Sequence, residues 1–137
     1  MKISGLRSDF DEIGGLVFFA RMLDKIRLHA QNRLPPDYNR SHGFDGRLCR
    51  FLHVNYDALV TATLAENDDA KILEWCYSNG RRPTEEEITI FNAFLSKRGW
   101  RDDVSDWIVE QKAKMGLSDR DDIQTAFDIH AADEGRM

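Results

Sequence analysis

The sequence predicts an all-α fold: a compact, bundle-like array of six or seven short helices around an apolar first helix. Three observations predict it. Apolar residues recur at three- and four-residue spacing in several stretches, no stretch alternates apolar and polar residues over a useful length, and three Pro and nine Gly leave little material for the turns of an all-β chain.

The first helix is read from Gly15 through Leu16, Phe19, Ala20, Leu23, Ile26 and Ala30. It ends at Leu34-Pro35-Pro36, because proline disfavours helix in the residue ahead of it. A loop rich in turn formers, Pro35 to Gly43, leads to a short helical run from Phe44 through Leu48, Phe51 and Leu52. Asn55 is the expected N-cap of a helix holding Leu59, Ala62 and Leu64. Asp68 or Asp69 opens the next, through Ile72, Leu73 and Cys76, and Gly80 stands where a left-handed C-terminal stop belongs. Thr84 and Glu87 spell a capping box, with Glu85 and Glu86 beside the positive end of the helix dipole, and Lys97-Arg98-Gly99 closes that helix. Beyond Trp100, Val104, Trp107, Ile108 and Met115 share a face. Gly116 separates them from a last helix capped by Ser118, with Asp121 and Asp122 in its first turn and Ile123, Ala126, Phe127 and His130 on one side.

A chain of 137 residues is expected to form one domain over 1–137. Its net charge of −5 resides in residues 101–137, where five Lys and Arg face ten Asp and Glu. That stretch is read as an acidic two-helix portion packed on the rest, with the basic residues 21–50 as its expected docking surface, within one chain or between two. The acidity disfavours nucleic acid as a partner, and no apolar run approaches a membrane span or a signal peptide. Cys49 and Cys76 stand in apolar surroundings, as reduced buried thiols do. The expected setting is cytoplasmic and soluble, with no membrane association.

The residues able to carry chemistry gather between 21 and 50, where seven Lys and Arg meet three Asp. On a helical wheel Arg27 falls among Leu16, Ala20 and Leu23, and a charge there must be paired or open to a cleft. Arg21, Asp24 and Lys25 accompany it, and His42, Asp45 and Arg47 follow around Gly43 and Gly46. Two readings stand: a structural ion network among Asp24, Arg27, Asp45 and Arg47 that fixes the first helix to the second, or a pocket in which the arginines hold a phosphate or carboxylate. His42, Asp45, Cys49 and His53 are spaced by three, four and four residues, as metal ligands on one helix face would be. Gly43 and Gly46 argue against a continuous helix there, and neither Cys-x-x-Cys nor His-Glu-x-x-His occurs, so neither a metal nor another cofactor is expected. No nucleophile elbow, phosphate loop or dinucleotide fingerprint is present. The clusters Gly80-Arg81-Arg82-Pro83 and Lys97-Arg98-Gly99-Trp100-Arg101 read as solvated helix ends, and Trp75, Trp100 and Trp107 as core or interface anchors.

The runs Gly14-Gly15-Leu16, Ala20 through His29, Gly43-Phe44-Asp45, Ile72 through Cys76, Phe91-Asn92, Lys97-Arg98-Gly99 and Arg120 through Gln124, with Ala132 through Arg136, resemble bacterial proteins grouped as domain of unknown function 5069. The resemblance spans nearly the whole chain and is most specific from Arg21 to Arg27. It implies a bacterial, intracellular single domain and supplies no catalytic residue. The expected function is a non-catalytic binding or interaction module for a protein partner, a second copy included, or for a small anionic ligand. The alternative is a small enzyme using Arg21, Asp24, Arg27 and Asp45 for acid/base chemistry on an anionic substrate. An enzyme needs those groups to converge on an open pocket, whereas a structural network is closed and mutually satisfied.

Overall fold

The computed structural model describes residues 1–137, with seven helices and one two-stranded hairpin. In chain order the elements are β1 (Glu12–Ile13), β2 (Leu16–Val17), α1 (Phe19–Ala30), α2 (Gly43–Leu52), α3 (Tyr56–Leu64), α4 (Asp69–Asn79), α5 (Glu85–Lys97), α6 (Ser105–Lys114) and α7 (Ala126–Asp133). The all-α expectation holds, the hairpin being the one departure. The chain divides into two compact units, Gly5–Ile88 and Met1–Ser4 with Thr89–Met137, and the division falls inside α5.

In the Gly5–Ile88 unit α1 is the core element. Phe19, Ala20, Met22, Leu23, Ile26 and Leu28 are all buried, and side chains of the larger kinds contribute about 1.5–3 kcal/mol each on leaving water. The helix starts later than its apolar spacing suggests. Gly14 and Gly15 both hold positive φ, +59° and +80°, the conformation of a two-residue hairpin turn, and this folds Leu16 and Val17 back to pair with Ile13 and Glu12. Leu16 is therefore a buried strand residue and not a helical one. α1 also ends before Leu34. Asn32 adopts φ +56°, which returns its own N–H to His29 O at 3.0 Å and that of Arg33 to Leu28 O at 2.8 Å, satisfying carbonyls of the last turn.

α2 runs unbroken from Gly43 to Leu52, so the two glycines do not interrupt it. Gly46 is needed there because a Cβ would stand 2.8 Å from Ser41 O. His53 closes α2 in left-handed backbone. Asn55 caps α3 by accepting from Ala58 N at 3.0 Å, and Asp68 caps α4 through Ala70 N at 3.0 Å. Gly80 does follow α4, but with φ −116° and not left-handed backbone. Its lack of a side chain serves close packing, since a Cβ would lie 1.9 Å from Leu52 O.

The capping box opening α5 is formed: Thr84 N donates to Glu87 Oε1 at 2.8 Å and Glu87 N to Thr84 Oγ1 at 3.1 Å. In the second unit Gly99 turns the chain with φ +104°, and a Cβ there would meet Ile108 at 2.6 Å. Asp102 ties the turn by accepting from Gly99 N and Val104 N. The last helix begins at Ala126 and not near Ser118. Residues 118–124 form turns, and the working capping box is Thr125 with Asp128, a pair that satisfies two amide donors where Ser118 satisfies none. No helix is long and apolar enough to cross a membrane.

Candidate functional site

Three charged side chains of α1, Arg21, Asp24 and Lys25, face the interior, and each meets opposite charge from a different part of the chain. Arg21, 3% exposed, lies 3.4 Å from Asp9 Oδ1 and donates through Nη1 to Arg7 O at 3.1 Å. Asp24 receives Arg7 through Nε and Nη2, both at 2.9 Å, and the Arg7 backbone N–H at the same distance. Arg7 Nη2 also reaches Asp69 Oδ2 at 2.8 Å, and Arg27 Nη2 reaches Asp69 Oδ1 at 2.8 Å. A bidentate arginine–carboxylate pair of this kind is the strongest form such contacts take. Hydrogen bonding to Asp24 drives the Arg7 guanidinium well above its ordinary range. Burial pushes the Asp69 carboxyl up, but the hydrogen bonds and charges of Arg7 and Arg27 outweigh it and hold Asp69 below the usual carboxylate range.

Lys25 and Asp45 form the deepest pair. Lys25 Nζ stands 2.8 Å from Asp45 Oδ1 and donates to Asn39 O at 2.8 Å, and Asp45 is wholly buried. Asp45 Oδ2 accepts from Ser41 N at 3.3 Å. Burial pulls Lys25 down and pushes Asp45 up, each against the attraction of the other. Phe18 lies 5.1 Å beneath the ammonium, its ring edge-on to Phe44 at 5.3 Å. Phe18 holds left-handed backbone, φ +71°, although it is neither Gly nor Asn. Such a residue costs on the order of 1–2 kcal/mol, and what it secures is a buried aromatic face against Lys25 at the entry to α1.

The loop above this pair is open. Pro36 to His42 line a groove of about 510 Å³. Arg40 has no carboxylate partner. Its neighbour is Tyr56, whose phenol is pushed up to about 12 by burial and by the Asp45 charge, against the pull of Arg40. His42 is exposed, with Nδ1 3.3 Å from Ser41 Oγ, and makes no side-chain capping bond to α2. Asp37 is the single acid in the lining.

Of the residues singled out in the sequence, Lys25 and Asp45 meet directly. Asp24 and Arg27 are joined through Arg7 and Asp69, while Arg27 and Asp45 take different partners. Arg47 is half-buried on α2 and His42 lies on the groove. Arg7, Asp9 and Asp69 were missed. Each sits outside the basic segment; the positive surplus of α1 calls for carboxylates from elsewhere, but no local signal points to Arg7. No three His, Cys, Asp or Glu side chains are grouped as metal ligands; His42 and His53 flank opposite ends of α2 while Asp45 is held by Lys25. Burial pushes the thiols of Cys49 and Cys76 up to about 11 and about 12. Three arginines of the basic clusters are partnered, Arg81 with Glu87, Arg82 with Glu74 and Arg98 with Asp102 and Asp103. Trp75 is half-buried, whereas Trp100 and Trp107 are exposed.

A family model described as Domain of unknown function (DUF5069) matches residues 3–136. Among curated proteins none matches the chain.

Proposed function

We propose that this chain, which belongs to the DUF5069 family, is a non-catalytic binding module of the bacterial cytoplasm whose ligand is a small anion held in the groove of residues 36–42. One observation carries the reading: Arg40, which has no carboxylate partner, lines an open groove, while the charges of α1 are spent on Arg7, Asp9, Asp45 and Asp69. A closed network supports a scaffold role for Arg21, Asp24, Lys25, Arg27 and Asp45, because acid/base work needs groups free to exchange protons with a bound substrate. The hydroxyl of Ser41, the ring of His42 and the amides opening α2 supply further donors beside Arg40.

Thermal unfolding with inorganic phosphate, pyrophosphate, citrate and a nucleoside triphosphate tests this. An anion present at a hundred times its Kd stabilises the wild type by about 2.7 kcal/mol, and Arg40→Ala abolishes the gain. No shift with any of the four, or an equal shift in the variant, refutes the proposal. A protein partner fits the same non-catalytic reading and is favoured by exposed Ile90 and Phe94 on α5.

A further inference from the structure

We propose that α5 is the contact face of a two-fold dimer, in which it packs antiparallel against α5 of a second copy of this chain. The inference deepens the partner part of the function proposed above and does not depend on the groove.

Glu86, Ile90, Ala93 and Lys97 are separated by four, three and four residues, the spacing that keeps side chains in one seam between two packed helices. Phe94 lies beside them, and all five fall within an arc of about 100° at 3.6 residues per turn. Ile90 is 62% exposed and Phe94 41%, and Glu86 and Lys97 are exposed too. The opposite side of the same helix supplies buried Phe91 and Leu95. The helix thus has one face in the core and, on its outer side, a stripe of exposed Ile90 and Phe94 with half-buried Ala93, the Phe94 ring carrying the Arg98 guanidinium at 5.5 Å.

Charge says what covers the stripe. Acids occupy the start of α5 and a lysine its last turn, and neither Glu86 nor Lys97 has an opposite charge three or four residues away within the helix, so neither is paired along it. Their separation of eleven residues, about 16 Å along the axis, prevents them from meeting each other in one chain. Across a two-fold axis crossing the helix between Phe91 and Asn92 the arrangement becomes self-complementary. Glu86 then faces Lys97 of the second copy at each end, Ile90 faces Ala93, and Phe94 faces Thr89. A parallel pair would set Glu86 against Glu86 and Lys97 against Lys97, so charge selects the antiparallel form. Thirteen residues span about 20 Å, a short contact, so the dimer forms in the micromolar range and not more tightly.

Sedimentation of the full chain at low salt tests the pairing. The wild type dimerises with a micromolar Kd, and Ile90→Glu makes it monomeric. Glu86→Lys and Lys97→Glu each weaken the dimer about tenfold, because two attractions become two repulsions. The double variant carrying both regains the wild-type Kd to within about threefold, and mixing the two single variants gives a heterodimer tighter than either homodimer. These variants leave the phosphate and pyrophosphate responses of the groove unchanged, and Arg40→Ala leaves the Kd unchanged, so the two proposals fail separately. A wild-type monomer up to about 100 μM, a dimer indifferent to Ile90→Glu, or single swaps that the double swap does not rescue overturns the inference.

Discussion

Replacing Lys25 by Met strips the wholly buried Asp45 of its countercharge while keeping most of the aliphatic volume. Between them the wild-type pair holds one proton, whichever atom carries it, as do the same two groups in the unfolded chain near neutral pH. The pair therefore adds no slope to stability between pH 5 and 7. Once Lys25 is gone, Asp45 must either stay ionised without its ammonium partner or take up a proton. Its ordinary value is 3.8 and burial raises it, so at pH 7 protonation costs about 4 kcal/mol and at pH 5 about 2 kcal/mol. The sign follows from linkage: a carboxyl raised on folding contributes stability that is full below 3.8 and is lost as pH rises towards the folded-state value. Urea unfolding of wild type and Lys25→Met at both pH values measures the difference, expected to shrink by about 1.4 kcal/mol per pH unit of acidification. Adding Asp45→Asn removes the charge, and the pH dependence of the difference disappears, with roughly half of the loss at pH 7 recovered. A destabilisation equal at pH 5 and pH 7 would falsify the account of a buried, charge-compensated pair.

Gly80→Ala is expected to cost at least about 2 kcal/mol, because its Cβ would stand 1.9 Å from the Leu52 carbonyl oxygen and the backbone of two elements must part; denaturant unfolding reads this, and a neutral outcome rejects the close approach. Asp69→Asn, which weakens the hold on Arg7 and Arg27, should cost about 1 kcal/mol at pH 7 for a partly exposed pair. Since Asp69 is held low, its contribution is present above the ordinary value and lost as pH falls through the folded-state one, so the gap between variant and wild type closes on acidification; a gap that widens below pH 4 contradicts it. Cys49 and Cys76 should ignore an aromatic disulfide reagent at pH 8 in the native protein, with both reacting in denaturant, and rapid native labelling would show the thiols to be accessible.

Helix content and most helix ends were legible because they rest on local chemistry. Asn55, Asp68, the Thr84–Glu87 box and Gly99 act within a few residues of themselves. The hairpin was missed because Leu16 fits a helical stripe and a buried strand equally well, and only the paired left-handed glycines decide between them. The last helix was placed too early for a similar reason: Ser118 has the chemistry of a cap, but Thr125 with Asp128 satisfies two donors. The anomaly of charge on an apolar stripe was legible too, although the residues most deeply placed are Arg21, Asp24 and Lys25, and Arg27 remains half-buried. Its resolution lay in Arg7, Asp9 and Asp69, which a pattern confined to neighbours in sequence does not reach. Arg7 and Asp69 stand 62 positions apart.

That dispersal constrains how such a sequence can diverge. Every buried ion of α1 answers to a residue on a separate segment, so a lone substitution at Lys25 or Asp45 strands its partner, and viable descendants must change both members of that pair or neither. Of the lining residues 36–42, Asn39 and Ser41 hold Lys25 and Asp45 through backbone groups and Tyr38 lies against Arg21, while Asp37 and His42 take no part in the buried pairs. Pairwise libraries at 25 with 45 should contain folded members that neither single library holds, whereas single changes at Asp37 or His42 leave folding intact; independent tolerance at 25 and 45 would break this expectation. The fold can thus keep its locked interior while side chains along the groove vary.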